Sequence, residues 1–220
     1  MEEEVDVDCF DMDSTKLNTP DLLRPVVQRV AEIADKTVTE VNQSRWKVGE
    51  ITFTFADWFR DVGIEEDRWS ELETELRGDM ALRARDCLYP GIYELLNARK
   101  TAGARLVLIT AGDPFYQRWK FSLLGLDHLF AVDDRNYVPR YGSKAEVLRH
   151  YLAYGRVRLI DDGVPWLIQV AEERARDPKF QVECFRARWS SDPRSVPHPE
   201  DNELWRVVHT PAELLALLQG

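Results

Sequence analysis

An apolar stretch near the start of the chain, Val7-Asp8-Cys9-Phe10-Asp11-Met12, runs straight into Asp13-Ser14-Thr15 and so ends in Asp-x-Asp-x-Thr. The run is short enough to be a buried strand. If the chain loosens after this strand, Asp11 stands at its carboxyl end and Asp13 on the loop beyond, and the two carboxylates converge on one site. One can attack while the other shuttles a proton, provided that a cation relieves their repulsion. Taken alone, acids after a strand are turn formers or helix caps.

The order of later segments gives the motif its meaning. Arg105-Leu106-Val107-Leu108-Ile109-Thr110 is an apolar run closing on a hydroxyl residue, followed by Ala111-Gly112-Asp113. Tyr141-Gly142-Ser143-Lys144 leads into a helix whose first turn carries a lysine. Arg156-Val157-Arg158-Leu159-Ile160-Asp161-Asp162-Gly163 is a third apolar run, ending in two carboxylates. Each chemically competent group falls at an element boundary. In an open α/β sheet, ligands bind at the carboxyl ends of the strands, so sequence-distant groups become spatial neighbours.

In this order of motifs the chain resembles the haloacid dehalogenase superfamily. The resemblance places Asp11 as nucleophile and Asp13 as general acid/base. It makes Thr110 the hydroxyl and Lys144 the cation that bind phosphate, with Asp162 and Asp161 as the acids of the last motif. Leu88-Tyr89-Pro90-Gly91-Ile92-Tyr93-Glu94-Leu95-Leu96 is similar to the helix preceding the second motif, and Leu123-Leu124-Gly125-Leu126-Asp127-His128-Leu129-Phe130 to the segment following it. What the resemblance implies is a Mg2+-dependent phosphomonoester hydrolase acting on a small phosphorylated metabolite through an aspartyl-phosphate. Asp11, Asp13, Asp162 and Asp161 are its metal residues. Three departures stand out. Ser14 takes the place of the usual small residue, often Gly. Lys16 replaces the usual leucine, and Trp166 stands where many members carry a second acid. Either Asp161 beside Asp162 supplies the second carboxylate, which is the favoured reading, or metal binding is weaker than usual. Dehalogenation and phosphoryl transfer within a sugar phosphate remain alternatives, the former disfavoured because it does not need a proton donor at Asp13. A non-catalytic regulatory protein is the reading that Trp166 and Lys16 keep open.

Composition agrees with the fold. A chain of 220 residues with 44% hydrophobic content can bury one substantial core and a small accessory module. A net charge of −10 works against general affinity for nucleic acid or an anionic membrane. Cys9, Cys87 and Cys184 are scattered and lack metal-ligand spacing, which suits a reducing, cytoplasmic setting. The start, Glu2-Glu3-Glu4, is acidic where a secretory signal is basic, and no segment is apolar for long enough to span a bilayer. The histidines show no metal spacing, and oligomeric state is not encoded in any recognisable feature.

The expected architecture is an α/β, Rossmann-like parallel sheet with helices on both faces and a small α-helical cap. Residues 1–18 and 86–220 form the core, and residues 19–85 the insert. Thr19-Pro20 reads as an N-cap followed by Pro at the first helical position, with Leu22, Leu23, Val26, Val27, Val30 and Ile33 at helical spacing. Amphipathic stretches follow at 56–62 and 67–76, with a weak strand signal at 50–53. Beyond Pro90 the expected strands lie at 106–110, 130–132, 157–160, 181–185 and near 207. Ser143-Lys144-Ala145-Glu146 and Thr210-Pro211-Ala212-Glu213 are capping boxes, and 190–199 is a Ser/Pro-rich excursion. The insert would supply the leaving-group pocket and act as a lid. Arg45, Trp46, Trp58 and Arg60 are candidates to line it, although the tryptophans read more readily as core than as a ligand platform.

Overall fold

The computed structural model describes residues 5–49, 53–139, 141–189, 197–199, 201 and 203–219. The apolar run at the start forms β1 (Val7–Phe10), buried at every position. It lies between β2 (Arg105–Ala111) and β4 (Val157–Asp161), both parallel to it, with Cys9 opposite Val107 on one side and Leu159 on the other. The sheet continues through β3 (Arg135–Val138) next to β2, and through β5 (Val182–Ala187) and β6 (Arg206–Val208) beyond β4. The strand order is β3-β2-β1-β4-β5-β6, all parallel.

Alternation along the strands feeds two apolar layers. Phe10, Leu106, Leu108, Ile160 and Phe185 point to one face, where α5 (Ile92–Thr101), α6 (Pro114–Leu123) and α9 (Pro211–Gln219) pack. Cys9, Val107, Ile109, Leu159 and Cys184 point to the other, under α7 (Lys144–Arg149) and α8 (Val164–Arg176). Each fully buried aliphatic or aromatic side chain contributes about 1.5–3 kcal/mol of transfer free energy. The one charge inside β1, Asp8, is 0% exposed and is neutralised by Arg99 (2.6 Å) and Arg158 (3.0 Å).

Between β1 and β2 the chain builds a helical insert of α1 (Thr19–Ala34), α2 (Val38–Gly49), α3 (Phe55–Val62) and α4 (Trp69–Arg83). Helix α1 packs on α2 and α4, and α3 packs on the same two. Trp58 is fully buried among these helices, and its indole N–H donates to the Val41 carbonyl at 3.2 Å.

Three sequence expectations are corrected. The N-cap of α1 is Asn18, whose side chain accepts from the Asp21 N–H. The Thr19 hydroxyl is instead drawn 2.6 Å to Asp13. No strand forms at 130–132: Leu129 and Phe130 are buried core residues, Val132–Asp134 is a single 3-10 turn, and the strand is the largely polar Arg135–Val138. The Arg135 guanidinium holds that corner by donating to the Asp127 and Phe130 carbonyls. Helix α2 was not marked by the sequence, because its only buried side chains are Val41 and Ser44. The strand signal at 50–53 and the excursion at 190–199 fall mostly on residues 50–52 and 190–196, outside the described residues.

Candidate active site

Asp11 is the first residue past β1, and its N–H still donates to the Ile160 carbonyl at 2.9 Å. The chain then turns sharply. The Met12 carbonyl accepts from the Lys16 and Leu17 N–H groups, and Ser14 adopts the left-handed conformation at φ 56°. A small residue suits that position because a side chain is strained there. This turn sends the Asp11 and Asp13 carboxylates into different surroundings.

Asp11 enters an acid cluster. One oxygen each from Asp11, Asp161 and Asp162 lies within 4.8 Å of the others. Lys144 sits in the first turn of α7, where Ser143 caps the helix by accepting from the Glu146 N–H. Its ammonium, 0% exposed, donates to Asp11 at 2.7 Å and to Asp161 at 2.6 Å. The other Asp161 oxygen accepts from the Gly163 N–H at 2.9 Å, and Asp162 accepts from the Thr15 hydroxyl at 3.3 Å. Burial pushes the Asp11 carboxyl up to about 6; Lys144 opposes this, while Asp161 and Asp13 add to it. Burial and the same neighbours also raise Asp162 well above the carboxylate range. Burial disfavours the Lys144 ammonium, but Asp11 and Asp161 outweigh it and hold Lys144 above its ordinary value.

Asp13 is wired elsewhere. Lys120 donates to both of its oxygens at 2.6 Å, Thr19 to one at 2.6 Å and Gln117 to the other at 3.0 Å. Burial pushes this carboxyl up, but the Lys120 charge and the three donors hold it below its ordinary value. The structure therefore does not bring the Asp13 carboxylate into the cluster of acids. Sequence reading missed Lys120 and Gln117. They lie three apart on the buried face of α6, directly after the strand that carries Thr110, and a polar residue on a helix carries no sequence signal of facing inward. Gln117 also donates to the Ala111 carbonyl at 2.9 Å, which explains Gly112: a Cβ there would come 2.7 Å from the Gln117 amide nitrogen.

Thr110 ends up 1% exposed with no partner for its hydroxyl among the described residues. An orphaned buried hydroxyl costs about 1–3 kcal/mol unless a ligand oxygen satisfies it. The acid cluster passes the corresponding test for a cation. Its donors are all carboxylate oxygens, close together and short of positive charge, as a hard divalent ion such as Mg2+ requires. Where a further acid was looked for, the Trp166 ring lies 5.3 Å from the Lys144 ammonium.

Lys16 is the unexpected neighbour. It is 0% exposed, donates to the Phe10 carbonyl at 3.2 Å and lies over the Phe10 and Phe130 rings. Burial lowers its ammonium to about 7 despite the nearby acids. Asp13 and Lys120 face a cavity of about 530 Å³ that the insert roofs. Arg45, Trp46 and Trp58 are among the residues that line it. Arg60 instead pairs with Asp57 at 2.6 Å and stacks on Trp69.

The family model of haloacid dehalogenase-like hydrolases matches residues 5–168. No curated protein is similar to the chain in a whole-sequence search. Solved structures share the fold over nearly the whole chain. A haloacid dehalogenase-like hydrolase from Burkholderia xenovorans has a TM-score of 0.68 at 16% identity, with 98% of this chain and 97% of that one covered. A magnesium-bound hydrolase from Bacillus subtilis scores 0.63 at 15% identity, covering 99% and 100%. A phosphatase from Thermococcus onnurineus scores 0.62 at 16% identity, covering 100% and 99%.

Proposed function

The chain belongs to the haloacid dehalogenase-like hydrolases, and on that premise we propose that it is a Mg2+-dependent phosphomonoester hydrolase acting on a small phosphorylated metabolite through an aspartyl-phosphate on Asp11. The observation that carries this reading is the division of labour between two carboxylates two residues apart. Asp11 is clamped by Lys144 in the acid cluster, whereas Asp13 is excluded from it and faces the cavity. The magnesium-bound B. subtilis structure and the T. onnurineus phosphatase support the same reading.

Asp11, Asp161 and Asp162 would hold the ion, which supplies the charge that lets a carboxylate approach an anionic phosphate. Ionised Asp11 attacks phosphorus; the bond from phosphorus to the ester oxygen breaks, and Asp13 delivers a proton to the departing alcohol. Asp13 then takes a proton from the water that attacks the aspartyl-phosphate, releasing phosphate and restoring Asp11. The Thr110 hydroxyl donates to one phosphoryl oxygen, and Lys144 offsets the charge gathered on the others. Residues 19–85 serve as a cap over a core of residues 1–18 and 86–220, closing for the first step and readmitting water for the second. Among the described residues no helix is long and apolar enough to cross a membrane. The three buried, unpaired cysteines suit a cytoplasmic setting.

Hydrolysis of p-nitrophenyl phosphate with and without Mg2+, in the native protein and in Asp11→Asn, tests the proposal. Mg2+-dependent release that disappears in the variant is expected. No release from the native protein with Mg2+, or undiminished release from the variant, overturns it.

A further inference from the structure

We infer that the alcohol released by this enzyme is largely apolar and carries a ring, a statement about substrate class that rests on the phosphomonoesterase reading above. The cavity of about 530 Å³ falls within the range of about 300–1,000 Å³ typical of small-molecule sites, and it is continuous with Asp13 and Lys120. A leaving group whose oxygen is protonated by Asp13 must therefore lie in this cavity.

Its walls are hydrocarbon and aromatic. Leu23 and Val27 come from α1, Phe55 and Trp58 from α3, Phe53 from just before α3, and Tyr116 from α6. The rings form a connected set: the Phe53 centroid lies 5.5 Å from Phe55, 5.9 Å from Trp58 and 5.1 Å from Tyr116. Rings in such offset and edge-on arrangements favour another flat apolar group among them.

The polar groups in the walls are mostly committed already. Thr19 and Lys120 donate to Asp13, and the Trp58 N–H donates to the Val41 carbonyl. Arg24 pairs with Asp21. Among the described lining residues, Asn42, Arg45 and Trp46 on α2 and Tyr116 on α6 add further polar atoms, with the Arg45 guanidinium 4.6 Å over the Trp46 ring. A sugar brings several hydroxyls, each costing about 1–3 kcal/mol if buried without a partner, and this mainly apolar lining offers few groups to satisfy them. An aromatic enclosure could also suit a quaternary ammonium. Among the described residues, the cations Arg24, Arg45 and Lys120 line the cavity against the single acid Asp13, which disfavours a positively charged leaving group.

The test compares kcat/KM for benzyl phosphate, glucose 6-phosphate, phosphocholine and the minimal acetyl phosphate, all with Mg2+. Binding of the non-hydrolysable benzylphosphonate and methylphosphonate is followed by tryptophan fluorescence. We expect benzyl phosphate to exceed glucose 6-phosphate and phosphocholine at least tenfold, and benzylphosphonate to bind at least tenfold more tightly than methylphosphonate. Turnover of acetyl phosphate with no such preference overturns the inference and leaves the phosphatase reading standing. No turnover of any ester, with no phosphonate bound, removes the phosphatase reading itself and the inference with it. Phe53→Ala should cut the benzyl-to-glucose ratio at least fivefold; should it not fold, Trp46→Ala, at a position 61% exposed, serves the same purpose. A folded variant at either position with an unchanged ratio counts against an apolar leaving-group pocket.

Discussion

Replacing Asp162 by Asn should stabilise the metal-free protein and at the same time remove most of the stabilisation that Mg2+ confers. Asp11, Asp161 and Asp162 place carboxylate oxygens within 4.8 Å of one another, and Lys144 bridges only the first two. At an effective dielectric of about 20, two unit charges at that spacing repel by about 3.5 kcal/mol. Burial is the largest reason that the Asp11 carboxyl rises to about 6, with Lys144 opposing it and the charges of Asp161 and Asp13 adding to it. Asn keeps an oxygen to accept from Thr15, so little is lost in exchange. Allowing for the screening by Lys144, a net gain of about 2 kcal/mol is expected, or about 4–8 °C in Tm for a chain of this size. The pH dependence carries a definite sign. A carboxyl raised in the folded state binds its proton more tightly there than in the unfolded chain, so its contribution is least favourable above about pH 6 and improves as pH falls toward 3.8. Thermal melts of native and Asp162→Asn protein in chelator, between pH 5 and 7.5, and again with Mg2+, decide the matter. A variant that melts lower than the native protein in chelator, or that keeps the full Mg2+-induced rise in Tm, would refute the reasoning.

Four further outcomes are expected. Asp11→Asn should lower kcat by roughly 10³-fold or more while the protein stays folded, as read by aryl phosphate hydrolysis and circular dichroism. Asp13→Asn should slow alkyl phosphates more than p-nitrophenyl phosphate, since a good leaving group needs less protonation; equal slowing would remove Asp13 from the role of acid. Asp161→Ala and Asp162→Ala should each raise the Mg2+ concentration for half-maximal activity, the latter more because Asp161 shares its charge with Lys144; an unchanged requirement in Asp161→Ala would leave Asp162 as the only acid needed from that strand end. Lys120→Met should impair alkyl phosphates through Asp13, so that its loss and that of Asp13→Asn fall short of additive in the double variant.

The groups legible in the sequence are those at sharp boundaries between apolar and polar runs. Asp11, Thr110 and Asp161 terminate buried strands, and Lys144 follows a serine cap, so composition alone marks the places where a parallel sheet exposes its carboxyl ends. Lys120 and Gln117 were invisible for the opposite reason. On a helix a polar residue reads as a solvated face, and only the tertiary fold reveals that both turn inward to Asp13. Strand β3 was misplaced because Arg135, Asn136 and Tyr137 are only partly buried, whereas the apolar Leu129 and Phe130 that imitate a strand fill the core beside it. Asn18 and Thr19 are both competent caps, and the demand of Asp13 for a hydroxyl decides between them. Lys16 read as a departure from the usual leucine. In the structure its stem occupies the buried space of an aliphatic residue, and its ammonium finds the Phe10 carbonyl.

The opposite displacement of Asp11 and Asp13 has a consequence for the proposed reaction. Asp11, raised to about 6, is still mostly ionised at neutral pH, and any cation bound by the cluster deepens that ionisation, so the nucleophile is ready without a base to activate it. Asp13, held low by Lys120, waits as a carboxylate, the form that suits the second step, where it must take a proton from water. For the first step it must acquire a proton. The arriving phosphate ester favours this in two ways: its negative charge raises the proton affinity of a neighbouring carboxylate, and its oxygens compete with Asp13 for the Lys120 ammonium. In the proposed reaction, substrate binding would thus prepare Asp13 as the acid, and transfer of its proton to the departing alcohol would leave it the carboxylate that the second step requires. In that reaction Lys120 would be the residue on which the exchange turns, so that a lysine buried to 4% exposure on an otherwise core-facing helix surface would bear on the chemistry as well as the packing.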